Sequence, residues 1–189
     1  MARIAATNIL IAILPNPAAV PLRFEYLLTR SHTRNRATEW ILENAIDDEV
    51  IILSPSITLF RDRDAMEREL RIATLRAPER YLLERYDELA PTMRTARFTN
   101  LHFWNDPADL SALMAYLETY RPKYFVLELG DAPQFTGMER SLIAGSTLLA
   151  EFRQGKTADM HDMTGNFFVP SSVVFQLERL GPTVQIYRL

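Results

Sequence analysis

The chain has no cysteine. Disulfides, thiolate nucleophiles and cysteine-based zinc sites are therefore excluded together. This absence leaves both cytoplasmic and extracytoplasmic settings open. Glycine is scarce, with six residues in 189. There is no Walker-type glycine-rich loop, no G-x-G-x-x-G and no G-x-S-x-G elbow, so a backbone cradle for phosphate and a strained nucleophile turn are not expected. Lysine occurs only at Lys123 and Lys156, so the cationic side chains are almost all arginine. The formal net charge of −3 lacks the concentrated basic face that a nucleic-acid partner requires. Arg61, Arg63, Arg68, Arg71 and Arg76 alternate with acids, as on a solvated helix.

No long hydrophobic run is present either. Ile4 to Leu14 is apolar but spans 11 residues, short of the roughly 20 that cross a bilayer. Three readings of it stand: a signal-peptide core, the stub of a membrane helix, or a buried strand or short helix. Pro15, Pro17 and Pro21 follow and predict an extended linker, because proline breaks helices. Residues 1–28 thus read as an apolar, proline-rich lead-in, and 29–189 as one α/β domain of a size that can bury a single core. Phe24 to Leu28 is an apolar patch that packs on the domain or lies at a membrane surface.

What is there is an alternation of helical and strand periodicities. Thr33 is placed to N-cap a helix carrying Ala37, Trp40, Ile41 and Ala45 on one face. Asp47 to Glu49 form a charged turn, and Val50 to Leu53 reads as a strand covered on both sides. Asp64 with Glu67 is a capping-box-like start for a stripe of Met66, Leu70, Ala73 and Ala77. Tyr81, Leu82, Tyr86 and Leu89 form a second stripe after Pro78. Leu101 to Trp104 predicts a strand, and Asp106-Pro107 starts a helix carrying Leu110, Leu113, Met114, Leu117 and Tyr120. Tyr124 to Leu129 is the clearest strand. Thr136 and Glu139 then open a helix lined by Leu142, Ile143, Leu149 and Phe152. Gln154 to Gly165 is polar and loop-like. Val173 to Leu177 and Val184 to Tyr187 predict a closing antiparallel hairpin. The expected fold is α/β: a three-layer, mainly parallel sheet with flanking helices and a C-terminal antiparallel hairpin.

Ligands of open α/β sheets sit at the carboxyl ends of the strands. The polar residues there are Ser54 and Ser56, Asn105 and Asp106, and Glu128 and Asp131. Of these, Ser54, Ser56, Asp106, Glu128 and Asp131 are the candidate binding residues, with hydroxyls and carboxylates suited to a metal or to sugar hydroxyls. Turn chemistry also accounts for Ser-Pro-Ser, and helix capping for Asp106. Asp159, His161 and Asp162 are the candidate metal ligands, a hard carboxylate set with one imidazole suited to zinc or manganese. A closed site needs a further ligand, and a solvated loop explains the same wording. No cofactor is expected beyond a divalent metal there. His32 and His102 stand isolated. Arg30, Arg34 and Arg36 crowd one short segment, where they either start a solvated helix or meet anionic lipid head groups.

The residues Thr33, Arg34, Ala37, Trp40, Ile41 and Asn44, with the strand Val50 to Leu53, resemble the opening of a domain in membrane glycosyltransferases of the polyprenyl-phosphate-sugar-dependent (GT-C) class. Gly181-Pro182 leading to Val184, Ile186, Tyr187 and Arg188 is similar to the closing strand of the same domain. The resemblance covers about 50 residues at the two ends; Phe60 to Asn100 has no counterpart. It implies an extracytoplasmic α/β domain that follows membrane helices, with the catalytic carboxylates of the class lying in loops between those helices, outside this chain. The expected function is a non-catalytic accessory or binding domain, with a membrane protein, an anionic membrane surface or a glycan as partner. A small metal-dependent hydrolase or transferase using Asp106, Glu128 and Asp131 is one alternative. The other is an interaction protein presenting Tyr81, Tyr86, Phe98, Phe103 and Trp104.

Overall fold

The computed structural model describes residues 15–45, 51–53, 59–72, 77–92, 95–100, 114–115, 117–129, 137–155 and 174–189. Helix α1 is Pro15–Leu28. This corrects the expected linker. Pro15 and Pro17 fall in the first turn, whose N–H groups have no intrahelical acceptor, so their missing donors cost nothing. Only Pro21 lies inside the helix. Tertiary contacts then hold the segment: Leu27 is fully buried with Val174, Leu177 and Leu180, and Phe24 packs beside them.

Helix α2 is Thr33–Asn44. Thr33, Ala37 and Ile41 recur every fourth residue and form its buried stripe. The N-cap is His32 rather than the expected Thr33: the His32 Nδ1 accepts from the Arg34 backbone N–H at 3.2 Å. Thr33 is instead the first helical residue. The helix ends where Ala45 turns extended while its N–H still donates to the Ile41 carbonyl at 2.8 Å.

Strands β1 (Ile51–Leu53), β2 (Phe60–Arg61), β3 (Thr95–Ala96) and β4 (Phe98–Asn100) bracket helices α3 (Arg63–Ile72), α4 (Ala77–Glu84) and α5 (Tyr86–Leu89). Asp62 caps α3 by accepting from the Ala65 N–H at 2.7 Å, two positions before the expected Asp64. It also takes the Arg97 Nε at 3.1 Å. Beyond residues 114–115 and 117–120, which are helical, come β5 (Tyr124–Leu129), α6 (Gly137–Ala144), β6 (Thr147–Phe152) and β7 (Thr183–Arg188).

Five strands form the main sheet in the order β4-β1-β5-β7-β6. β1 runs parallel to β4 and to β5, while β7 is antiparallel to both β5 and β6. The sheet is thus mixed, where a mainly parallel one was expected. The antiparallel part is built differently from the predicted hairpin. Residues 174–177 do not form a strand; Leu177 makes a single bridge to Gly155. The partner of β7 at the edge is β6, whose Leu149 and Phe152 were assigned to a helix. That helix stops at Ala144, where the Ser146 N–H and hydroxyl both bond to the Ile143 carbonyl, at 3.1 and 2.9 Å.

One core unites helix and sheet. Ala37 and Ile41 of α2 pack on Phe98, Tyr124, Val126, Val184 and Ile186, with Trp40, Ala150 and Phe152 at its margin. Each large apolar side chain buried here contributes roughly 1.5–3 kcal/mol before entropy is counted. The pairing Glu128↔Val184, Val126↔Ile186 places Glu128 on this same α2-facing side. α2 runs against β5: Arg34 near its start meets Glu128 near the end of β5, and the Asn44 carbonyl at its end accepts from the Tyr124 hydroxyl at 3.4 Å.

Candidate functional site

Glu128 is the one candidate binding residue that falls among the described residues. Arg34 grips it with both ends of its guanidinium, Nε to Oε2 at 2.9 Å and Nη2 to Oε1 at 2.5 Å. The two side chains are 21% and 14% exposed. A bidentate pair in that setting is a charge-assisted clamp between the start of α2 and the end of β5. Each carboxylate oxygen already accepts a donor from a fixed cation, so the group acts here as a structural acceptor. Ser54, Ser56, Asp106 and Asp131 lie outside the described residues, as do Asp159, His161 and Asp162 and the aromatic pair Phe103 and Trp104. Among the described residues no three histidine or acidic side chains come together as metal ligands.

Around this clamp the structure gathers residues that are far apart in the chain. The Thr33 N–H donates to the Leu180 carbonyl at 3.0 Å, drawing the loop before β7 onto the α2 start. Gly181, at φ +104°, sits so close that a Cβ would lie 2.2 Å from the Thr33 Oγ1 and 2.3 Å from the His32 Cε1. Both backbone angle and space therefore demand glycine at this position. Thr33 is fully buried, yet among the described residues its hydroxyl has no hydrogen-bond partner; the Thr183 hydroxyl is in the same condition. Burial, and after it the Arg34 charge, lowers the His32 pKa below the ordinary value. The imidazole is thus held neutral, as its acceptor role at the cap requires.

Beside the clamp lies an arginine surface. Arg23 donates to the Leu177 carbonyl and lies over the Tyr26 ring at 4.9 Å. Arg30 lies over the same ring at 5.5 Å, and Arg36 over Phe152 at 5.4 Å. Arg179 joins them from the loop before β7. Burial, and next the like charges of Arg36 and Arg30, hold its guanidinium below the usual value. Next to these cations α1 turns apolar side chains outward: Leu22 is 69% exposed, Leu28 56% and Tyr26 45%. The patch Phe24 to Leu28 therefore divides, with Phe24 and Leu27 inward and Tyr26 and Leu28 outward.

Of the aromatic group expected as a partner face, three members fall among the described residues. Phe98 belongs to the core, whereas Tyr81 is exposed and Tyr86 half-buried, each under an arginine, Arg85 and Arg63 respectively. At the far edge of the sheet, the Tyr187 hydroxyl donates to the Gln185 Oε1 at 2.6 Å and the Gln185 Nε2 to the Glu151 Oε1 at 2.7 Å. Burial raises the Glu151 pKa, but the bonds from Gln185 and Arg153 and the charge of Arg153 outweigh it and lower the net value.

Sequence reading missed His32 and Arg179. Histidine is not among the preferred N-cap residues, so no local signal marks His32. Arg179 acquires meaning only from neighbours more than 140 positions away. Comparison with known proteins finds no matching family model, no matching curated protein and no matching solved structure.

Proposed function

We propose that this chain is a non-catalytic, extracytoplasmic accessory or binding domain, related to the membrane glycosyltransferases it resembles, that rests against an anionic membrane surface. The observation that carries this reading is the outer side of α1. Leu22 and Tyr26, one turn apart, project there, with Arg23 and Arg30 over the Tyr26 ring. Apolar side chains next to arginines suit a bilayer boundary, where the former enter the acyl layer and the latter meet lipid phosphates. Among the described residues no helix is long and apolar enough to cross a membrane. The commitment of Glu128 to Arg34 supports a binding role over a metal-dependent one, because that carboxylate is already saturated by a fixed cation. A three-layer arrangement is part of the same proposal. Phe125 and Leu127 point away from α2 and are buried, which supports cover on the second face of the sheet.

Flotation of the full chain with vesicles tests this reading. Phosphatidylcholine vesicles containing phosphatidylglycerol are expected to carry the protein, and pure phosphatidylcholine vesicles to carry much less. Leu22→Glu with Tyr26→Glu alters exposed positions only, so the fold survives and flotation is expected to fall about tenfold or more. Equal flotation of the double variant would refute the membrane contact. Deleting α1 would be uninformative, because Leu27 belongs to a buried cluster.

A further inference from the structure

We infer that Arg30, Arg36 and Arg179 form a binding site for a phosphate group, built on the loop that closes α1 against α2. The loop is tied at several points. Arg23 holds the Leu177 carbonyl, the Thr33 N–H holds the Leu180 carbonyl at 3.0 Å, and the Glu178 and Arg179 N–H groups both donate to the Gln154 carbonyl, at 2.7 and 3.0 Å. Arg179 is therefore carried by backbone that is fastened on either side of it. Arg30 and Arg36 are laid on aromatic rings, Tyr26 and Phe152. A guanidinium over a ring face can still offer its N–H groups to an anion, and its planar fork matches two phosphate oxygens.

Charge points the same way. Arg63, Arg85, Arg97 and Arg153 pair with acids near them. Arg30, Arg36 and Arg179 make no ion pair among the described residues, and the acid whose charge reaches Arg179 is its own neighbour Glu178. The loop ties bring Arg179 to the start of α2 and to the end of β6, where Arg36 lies over Phe152, and a dianion offsets like charges gathered in this way. Phosphate meets that demand better than a monovalent carboxylate. The Nε of Arg23, buried without a partner, is a further donor at the edge of the group.

The site deepens the membrane reading and depends on it only for the source of the phosphate, a lipid head group or a free phosphorylated compound. The test titrates inorganic phosphate into the full chain at constant ionic strength, following the arginine Nε–H signals by nuclear magnetic resonance. Saturable shifts are expected for Arg30, Arg36 and Arg179. Arg179→Gln is expected to weaken phosphate binding about tenfold, one charge-assisted contact, while Arg188→Gln leaves it unchanged. Shifts that do not saturate, or equal losses in both variants, would overturn the site. Flotation on vesicles containing phosphatidic acid then separates the sources. Loss of flotation in Arg179→Gln supports the site with a lipid phosphate as its ligand. Saturable phosphate binding without flotation of the parent chain supports the site with a free phosphorylated ligand and removes the membrane reading. Flotation that survives in Arg179→Gln, with no saturable phosphate binding, overturns the site and retains the membrane reading.

Discussion

At the scale of the residue, the contact between Gly181 and the α2 start shows how little room this junction has. A methyl group at Gly181 meets the Thr33 hydroxyl and the His32 ring below any ordinary contact distance, on a backbone at φ +104°. Gly181→Ala is expected to destabilise the chain by about 3 kcal/mol, from the clash and the strained angle together. Thr33→Val should behave in the opposite way. The Thr33 hydroxyl is buried with no hydrogen-bond partner among the described residues, so replacing it with a methyl removes a desolvation penalty and raises stability by about 1 kcal/mol. Urea unfolding of the two variants decides both; a destabilised Thr33→Val would show that this hydroxyl has a partner in solution. Neither effect is legible locally. Thr33 reads as an ordinary cap, and Gly181 as half of a Gly-Pro turn, until the loop is brought against the helix.

At the scale of the element, α2 is the best case of local legibility. Its apolar spacing marks Ala37 and Ile41 of the buried stripe directly, with Trp40 and Ala45 at the margin, while Thr33 was read as the cap. Its cap was not legible, because His32 is an unusual cap residue and works only while neutral. Burial first, and Arg34 second, keep its pKa below the ordinary value of about 6.5. The unfolded chain therefore binds more protons at His32 than the folded one in the window below that value. His32 adds stability above about pH 6.5 and loses it as pH falls through the lowered folded value. Urea midpoints measured from about pH 7.5 down to pH 5 should decline, and His32→Asn, which caps without titrating, should flatten the decline. An unchanged slope in His32→Asn would place the titrating group elsewhere. β6 shows the opposite kind of element. Leu149 and Phe152 stand three apart and continue the apolar positions of α6, so periodicity favours a helix. The strand exists because β7 supplies a partner, from Thr147↔Arg188 to Phe152↔Val184.

At the scale of the whole molecule, the sheet is the common frame on which the two helical clusters meet. Among the strands whose side-chain burial is described, β5 and β7 are the most enclosed, with Phe125, Val126, Val184 and Ile186 fully buried. β6 is an edge, and its Leu148 and Leu149 are exposed where a register shift interrupts the pairing. Hydrogen exchange is expected to be slowest in β5 and β7, faster in β6, and fastest at the start of α1, whose first-turn N–H groups have no intrahelical acceptor. Protection of β6 equal to that of β5 would mean that the edge is covered in solution, by another copy or by a partner. The arginine surface also belongs to this scale, since Arg30 and Arg36 come from one end of the chain and Arg179 from the other.

The sequence by itself determined which segments bury a side: the stripe of α2, the run Tyr124–Leu129, and the absence of thiol and glycine-loop chemistry. These are local properties, written in the spacing of apolar residues and in composition. Only the tertiary structure decided which segments pair. It made α1 a packed helix despite three prolines, turned 147–152 into a strand, joined Arg34 to Glu128 across 94 positions, and set Arg179 beside Arg30 and Arg36. The physical reason is the same in each case. Local spacing records how much surface a segment must hide, whereas the partner that hides it, and the charges that come together as a result, follow from contacts made across the whole chain.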